Sequence, residues 1–169
     1  IIVLVSLCAA LANAAEKTVQ YDGVWFLGFN LHKDIFIGKS GQLLRQAIAS
    51  AIVGNYIVRK IIGDSITPNG MIPPGMTGYD AKLTGYKFDL AGAKKLLITA
   101  GYKPTDPRIK NFNLLHTDGK KTVEIAKVIQ DQLTKLGIKM TRTEIPYAEE
   151  EKWEKELGSG KYQLFLMGY

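Results

Sequence analysis

Residues 111–143 read NFNLLHTDGKKTVEIAKVIQDQLTKLGIKMTRT, and their patterning decides the fold. Residues 112–116 form a short run of strand type. Across residues 120–136, Val123, Ala126, Ile129, Leu133 and Leu136 recur every three or four positions, which lines them along one helical face. Ile125 and Val128 widen that face and predict cover on more than one side, while Lys127, Gln130, Asp131, Gln132 and Lys135 form the wetted remainder. Asp118 or Thr122 can cap the amino end. Gly137, having no Cβ, can take the left-handed conformation that closes the carboxyl end. Residues 138–143 make a second strand. Strand, helix and strand form a βαβ unit, whose two strands run parallel with a right-handed crossover. The expected fold class is α/β: a mixed sheet with flanking helices containing this βαβ unit.

A chain of 169 residues is one domain, or one lobe of something larger, and 46% hydrophobic content suffices for a core. The net charge is +6, but the lysines are spread over nearly every segment with no basic block, which describes a solvated surface rather than a nucleic-acid interface. Residues 1–12 are uncharged and mostly apolar. Ala12-Asn13-Ala14 follows as an A-x-A pattern of small residues, and the first charges are Glu16 and Lys17. That run is too short to span a membrane and fits a cleavable secretory signal over residues 1–14, leaving 15–169 as a single α/β lobe. Cleavage after Ala14 removes the only cysteine, Cys8, and a cysteine-free chain suits the periplasm.

Val24 to Leu31 is rich in aromatic and branched residues and reads as a strand buried on both faces over part of its length. Gly28 inside it marks a close backbone approach or a bulge. Ser40 is a candidate cap for a helix carrying Leu43, Leu44, Ala47, Ile48, Ala51 and Ile52, with a short second helix over 56–62 closing at Gly63. Residues 66–85 hold Pro68, Pro73, Pro74 and several glycines, so they are irregular; such a loop is either functional or a packed connection anchored by Met71, Ile72 and Met76. Asp89 caps a helix with Ala93, Leu96, Leu97 and Ala100. A charged helix over 148–157 turns Trp153 and Leu157 inward and pairs Glu151 with Lys155. Residues 162–167 form a further buried strand.

Catalytic patterns are scarce. His32 and His116 stand in no metal-ligand spacing, no G-x-S-x-G elbow or G-x-G-x-x-G is present, and no cofactor is expected. Gly38-Lys39-Ser40 falls short of a phosphate loop because Lys33 occupies the position of its first glycine. One group has binding chemistry. Ligands of parallel α/β sheets bind beyond the carboxyl ends of the strands, where His116, Thr117 and Asp118 end one strand and Tyr169 follows another. An imidazole, a hydroxyl, a carboxylate and a phenol ring suit a polar organic ligand. The alternative is that Thr117 and Asp118 cap the next helix and Tyr169 packs.

Trp25-Phe26-Leu27-Gly28-Phe29-Asn30, then Leu44-Arg45-Gln46-Ala47-Ile48, Ile72-Pro73-Pro74-Gly75-Met76 and Gly78-Tyr79-Asp80 follow one another in a distinctive order. Ala100-Gly101-Tyr102, Ile129-Gln130-Asp131-Gln132-Leu133, Leu136-Gly137-Ile138 and Gly160-Lys161-Tyr162 continue it. The succession, over residues 19–169, resembles the extracytoplasmic solute-binding proteins of oligopeptide, dipeptide and nickel ABC importers. That resemblance implies one lobe of a periplasmic binding protein, of the C-terminal type and truncated at Tyr169. It implies capture of a peptide or other small polar ligand without catalysis, a permease partner in the inner membrane and a missing first lobe. Residues 115–118 correspond to a loop from which some relatives contact ligand. Departures fall at residues 38–41 and 50–55, where relatives usually carry acidic and Asp-Arg patterns. A secreted stand-alone α/β interaction module, or a remnant lobe, is the alternative.

Overall fold

A computed structural model describes residues 23–63 and 65–168; the expected leader at 1–14 and Tyr169 lie outside them. The order is β1 (Trp25–Phe29), a 3-10 turn (Asp34–Phe36), α1 (Gly38–Ala51), α2 (Gly54–Ile57) running into a wide turn (Val58–Ile62), and α3 (Leu90–Thr99). Then come a 3-10 turn (Pro107–Ile109), β2 (Phe112–Thr117), α4 (Lys120–Leu136), β3 (Met140–Ile145), α5 (Glu150–Gly158) and β4 (Leu164–Gly168). The four strands form one mixed sheet in the order β1-β4-β2-β3. β2 runs parallel to both β3 and β4, and β1 is antiparallel to β4. The βαβ unit and the α/β class read from the sequence are both present.

Helix α4 forms because its apolar stripe has a sheet to cover. Thr122, Ile125, Ala126, Ile129, Leu133 and Leu136 are buried. All of these except Thr122 share one core with Phe112, Leu114, Met140, Leu164 and Leu166 of the sheet and with Leu44, Ala47, Ile48, Ala93 and Leu97 of α1 and α3. Val123, placed by periodicity on the stripe, lies at its half-buried margin. Gly137 ends the helix at φ 98°, and its N–H reaches the carbonyls of the last turn, as expected of a left-handed cap. Phe36 ties β1 to β2: its ring stands edge-on to Phe29 at 5.3 Å and to Phe112 at 5.7 Å between centroids.

Several expectations are corrected. No residue of β1 is fully buried, because β1 is an edge strand of the sheet. Gly28 does mark a close approach: a Cβ there would stand 2.1 Å from the Phe165 ring. Ser40 is not the α1 cap; its hydroxyl donates to the Ala100 carbonyl and ties α1 to the end of α3. α5 has no buried residue, so Trp153 and Leu157 are only half-buried, and the ion pairs there are Glu149 with Lys152 at 2.8 Å and Glu156 with Lys161 at 3.4 Å, not Glu151 with Lys155. Asp89 caps α3 as expected, accepting from the Gly92 N–H at 2.8 Å. Among the described residues of 66–85 there is neither helix nor strand, and Met71, Ile72 and Met76 are exposed.

Candidate functional site

The parallel strands β2, β3 and β4 end together at Thr117, Ile145 and Gly168, and antiparallel β1 brings Trp25 to the same edge by pairing with Gly168. Strand register fixes the faces. His116 shares the helix-covered face with Leu114, whose partners are Leu164 on β4 and Arg142 on β3, while Thr117 points to the other face with Ile145. Gly168 admits the Trp25 indole close over the end of β4: a Cβ on Gly168 would stand 3.0 Å from Trp25 Cδ2.

His116 is fully buried. Its Nδ1 lies 2.8 Å from the Thr117 carbonyl oxygen. A carbonyl can only accept, so Nδ1 carries the proton and, in the neutral ring, Nε2 is a bare acceptor. Among the described residues Nε2 is a buried side-chain nitrogen without a hydrogen-bond partner. Thr117 is half-buried and Asp118 is exposed. Asp118 does not cap α4. The helix N-cap is Gly119 with no side-chain cap bond, and Thr122, the other candidate, is buried. Instead the Asp118 N–H donates to the Ile145 carbonyl at 3.0 Å, and its Oδ1 accepts from the Tyr147 N–H at 2.8 Å. The turns following β2 and β3 are thereby joined into one rim. The first turn of α4 holds Lys120 and Lys121 and no acid, and Lys121 Nζ donates to the Ile62 carbonyl at 2.9 Å.

The structure thus brings His116, Thr117 and Asp118 together on the carboxyl-end rim, while Tyr169 lies outside the described residues. Sequence reasoning missed two aromatic side chains there, Trp25, 37% exposed, and Tyr147, 80% exposed. Trp25 was legible only through antiparallel pairing with β4; Pro146 breaking the strand before Tyr147 was the available cue for the second.

Two open recesses lie at the opposite end of the sheet. One, of about 420 Å³, is lined by Lys33, Asp34, Tyr102 and Arg108; the other, of about 690 Å³, by Lys110, Lys139, Lys161 and Asn113 among others. Most of their cations are engaged: Arg108 with Asp106 and the Gly101 carbonyl, Lys110 with the Gly137 carbonyl, Lys161 with Glu156. Asp106 is held below its usual range by the hydrogen bonds from Arg108. Neither recess touches the rim. No group of three or more His, Cys, Asp or Glu among the described residues could hold a metal ion, and no described helix is long and apolar enough to cross a membrane.

The chain is 27% identical over 127 residues to di/tripeptide-binding protein 2 of Pseudomonas aeruginosa, covering 75% of this chain and 23% of that protein. Among solved structures it resembles the periplasmic binding protein DppA of Helicobacter pylori in complex with the peptide STSA, with a TM-score of 0.69, 27% identity, and coverage of 88% of this chain and 27% of that one. It also resembles the binding protein AgaA of A. tumefacien R10 in complex with agropinic acid, with a TM-score of 0.71, 28% identity, and coverage of 87% and 29%. The chain therefore spans about a quarter of the length of these relatives. Residues 7–169 match the model of the bacterial extracellular solute-binding proteins, family 5 Middle. That match begins inside the run read as a leader, so cleavage after Ala14 would take away its first residues. With nearly its whole length matched, the chain belongs to the bacterial extracellular solute-binding proteins of family 5.

Proposed function

We propose that this chain is one lobe of a solute-binding cleft that captures a short peptide or other small polar ligand and hands it to an ABC permease of the inner membrane. Capture is non-covalent. The observation that carries this is the rim: three parallel strands end together, and their turns present Thr117 and Asp118 beside the buried, unmatched acceptor of His116. Ligands of α/β sheets sit in this place, and the relatives named above are di/tripeptide-binding or hold a peptide or agropinic acid. The ligand-contacting set is His116, Thr117, Asp118 and Tyr169, with a further lobe supplying the opposite wall. The Thr117 hydroxyl and the second Asp118 oxygen address the ligand directly. Fully buried, His116 is the deepest member of the set. Work is done in the periplasm, after removal of residues 1–14.

The test is the melting temperature of the purified chain against dipeptides, oligopeptides and nickel chelates. A ligand at ten times its Kd contributes about 1.4 kcal/mol, which raises the melting temperature of a chain this size by about 3–6 °C. A panel without any shift rejects ligand capture by this lobe alone.

A further inference from the structure

We propose that Tyr147 is a ligand-contacting aromatic of the rim and that Asp118, through the one oxygen that accepts the Tyr147 N–H, is also the residue that positions it. This rests on the rim reading above and adds a ligand class to it: a short peptide carrying an aromatic side chain.

Tyr147 is 80% exposed, more than any other large hydrophobic side chain among the described residues. A lone exposed apolar side chain is ordinary on a protein surface. The backbone beneath this one is not ordinary. Its N–H is held by the Asp118 carboxylate across 29 residues of sequence, and Asp118 is itself anchored by its own N–H to the Ile145 carbonyl. Between them Pro146 fixes φ by its ring, and the Pro146 carbonyl accepts from the Glu149 N–H at 2.9 Å. The turn is tied on both sides, and the ring is the part left in solvent. Fixing the backbone before contact lowers the ordering cost of binding, and tyrosine presents a flat face and a hydroxyl while freezing only two side-chain torsions.

Register gives the ring its neighbours. Ile145 pairs with Thr117, so Tyr147, two residues further, stands at the β3 end of the rim beside Asp118. Trp25 stands at the β1 end against Gly168. Three interstrand spacings of about 4.8 Å separate the two ends, about 14 Å in all. That is about the reach of four extended residues, and an aromatic ring at either end suits a short extended peptide.

The experiment uses the whole chain, titrated with Ala-Phe and with Ala-Gly by calorimetry and by backbone amide NMR. The native chain binds Ala-Phe about tenfold more tightly than Ala-Gly, the upper end of what an aromatic pair contributes. Tyr147→Ala abolishes that preference and Tyr147→Phe retains it. Asp118→Ala loses it while its melting temperature falls by only the few degrees that one exposed hydrogen bond contributes, and Asp118→Asn, which keeps the acceptor without the charge, restores it. Ile98→Ala, removing an exposed side chain on α3, binds both probes as the native chain does. Tyr147→Ala with undiminished preference, while the amides of Thr117 to Gly119 still shift, overturns this inference and leaves the rim reading standing. Unmoved amides at Thr117 to Gly119 in the native chain with either probe overturn both. Loss of preference in Asp118→Asn makes the preference depend on the Asp118 charge rather than on the held ring and overturns the positioning role, as does full preference in Asp118→Ala.

Discussion

Replacing Gly41 with alanine sets two effects of opposite sign against each other inside α1. In a helix, alanine is favoured over glycine by about 1 kcal/mol, because glycine loses more backbone freedom on ordering. Gly41 is buried, however, and a Cβ built on it stands 2.1 Å from the carbonyl carbon of Phe36 and 2.4 Å from its oxygen. Those are backbone atoms, so no side-chain rotation relieves the contact. The Phe36 carbonyl also accepts from the Arg45 guanidinium, and the fully buried Phe36 ring is held between Phe29 and Phe112. The 3-10 turn must therefore shift and drag Phe36 out of register with two strands. Overpacking of this kind costs about 1–3 kcal/mol, occasionally more. Because the obstacle is backbone, the clash sits at the upper end of that range, about 3 kcal/mol; with about 1 kcal/mol returned by propensity the net loss is about 2 kcal/mol, a drop in melting temperature of about 4–8 °C. Gly158→Ala is the matched control: a Cβ there meets nothing within 4 Å, so the propensity gain of up to about 1 kcal/mol stands alone. Urea unfolding followed by far-ultraviolet circular dichroism measures both. A Gly41→Ala chain as stable as the native one, or both variants moving in the same direction, refutes the reasoning.

Asp89→Ala removes the acceptor for the Gly92 N–H and lowers unfolding stability by about 1 kcal/mol, an ordinary N-cap loss; an unchanged denaturation midpoint contradicts it. Gly137→Ala costs about 1–2 kcal/mol from its positive φ alone, because the nearest atoms to a Cβ, those of Pro104, lie at an ordinary 3.6 Å; Gly137→Asn, which tolerates that conformation better, loses less in the same assay. Glu156 is held below the usual carboxylate range, first by the Tyr162 hydroxyl that donates to it at 2.6 Å. The stabilisation is fully present above the ordinary glutamate value of about 4.3 and fades as pH falls through the depressed one. Carboxyl carbon NMR on Tyr162→Phe therefore finds Glu156 titrating closer to the ordinary value, and an unchanged titration contradicts the assignment.

Local information explains which parts of the fold were readable. The α4 boundaries came from a long periodic stripe and a glycine stop, and both are properties of contiguous residues. Long-range partners decided what went unread. Gln130 and Gln132 look like wetted positions on a helical wheel. Yet Gln130 Nε2 donates to the Met140 carbonyl at 2.6 Å and its Oε1 accepts from Arg142, while the Gln132 Oε1 accepts from the Val53 N–H at 3.0 Å. Gln130 ties α4 to the following strand and Gln132 ties it to a segment 79 residues away, and periodicity carries no trace of either. β1 misled for a related reason: aromatic and branched residues mark a strand, but only sheet order says that it is an edge.

The site follows the same division. That His116, Thr117 and Asp118 end a parallel strand was legible, because strand, helix and strand in succession put them at a carboxyl end. Which of their atoms remain for a ligand was not. Asp118 followed by Gly119 and a helix looks like a cap, but a cap and a partner across the rim compete for the same oxygen, and the turn after β3 presents the Tyr147 N–H to it. A carboxylate so engaged retains one oxygen for a ligand and gives the other to the geometry of its neighbour. The chemistry of the rim is therefore less that of an acidic pocket than of a fixed aromatic edge beside an unmatched imidazole acceptor. If the proposed capture of peptides holds, such a site ranks them by their side chains before their charge.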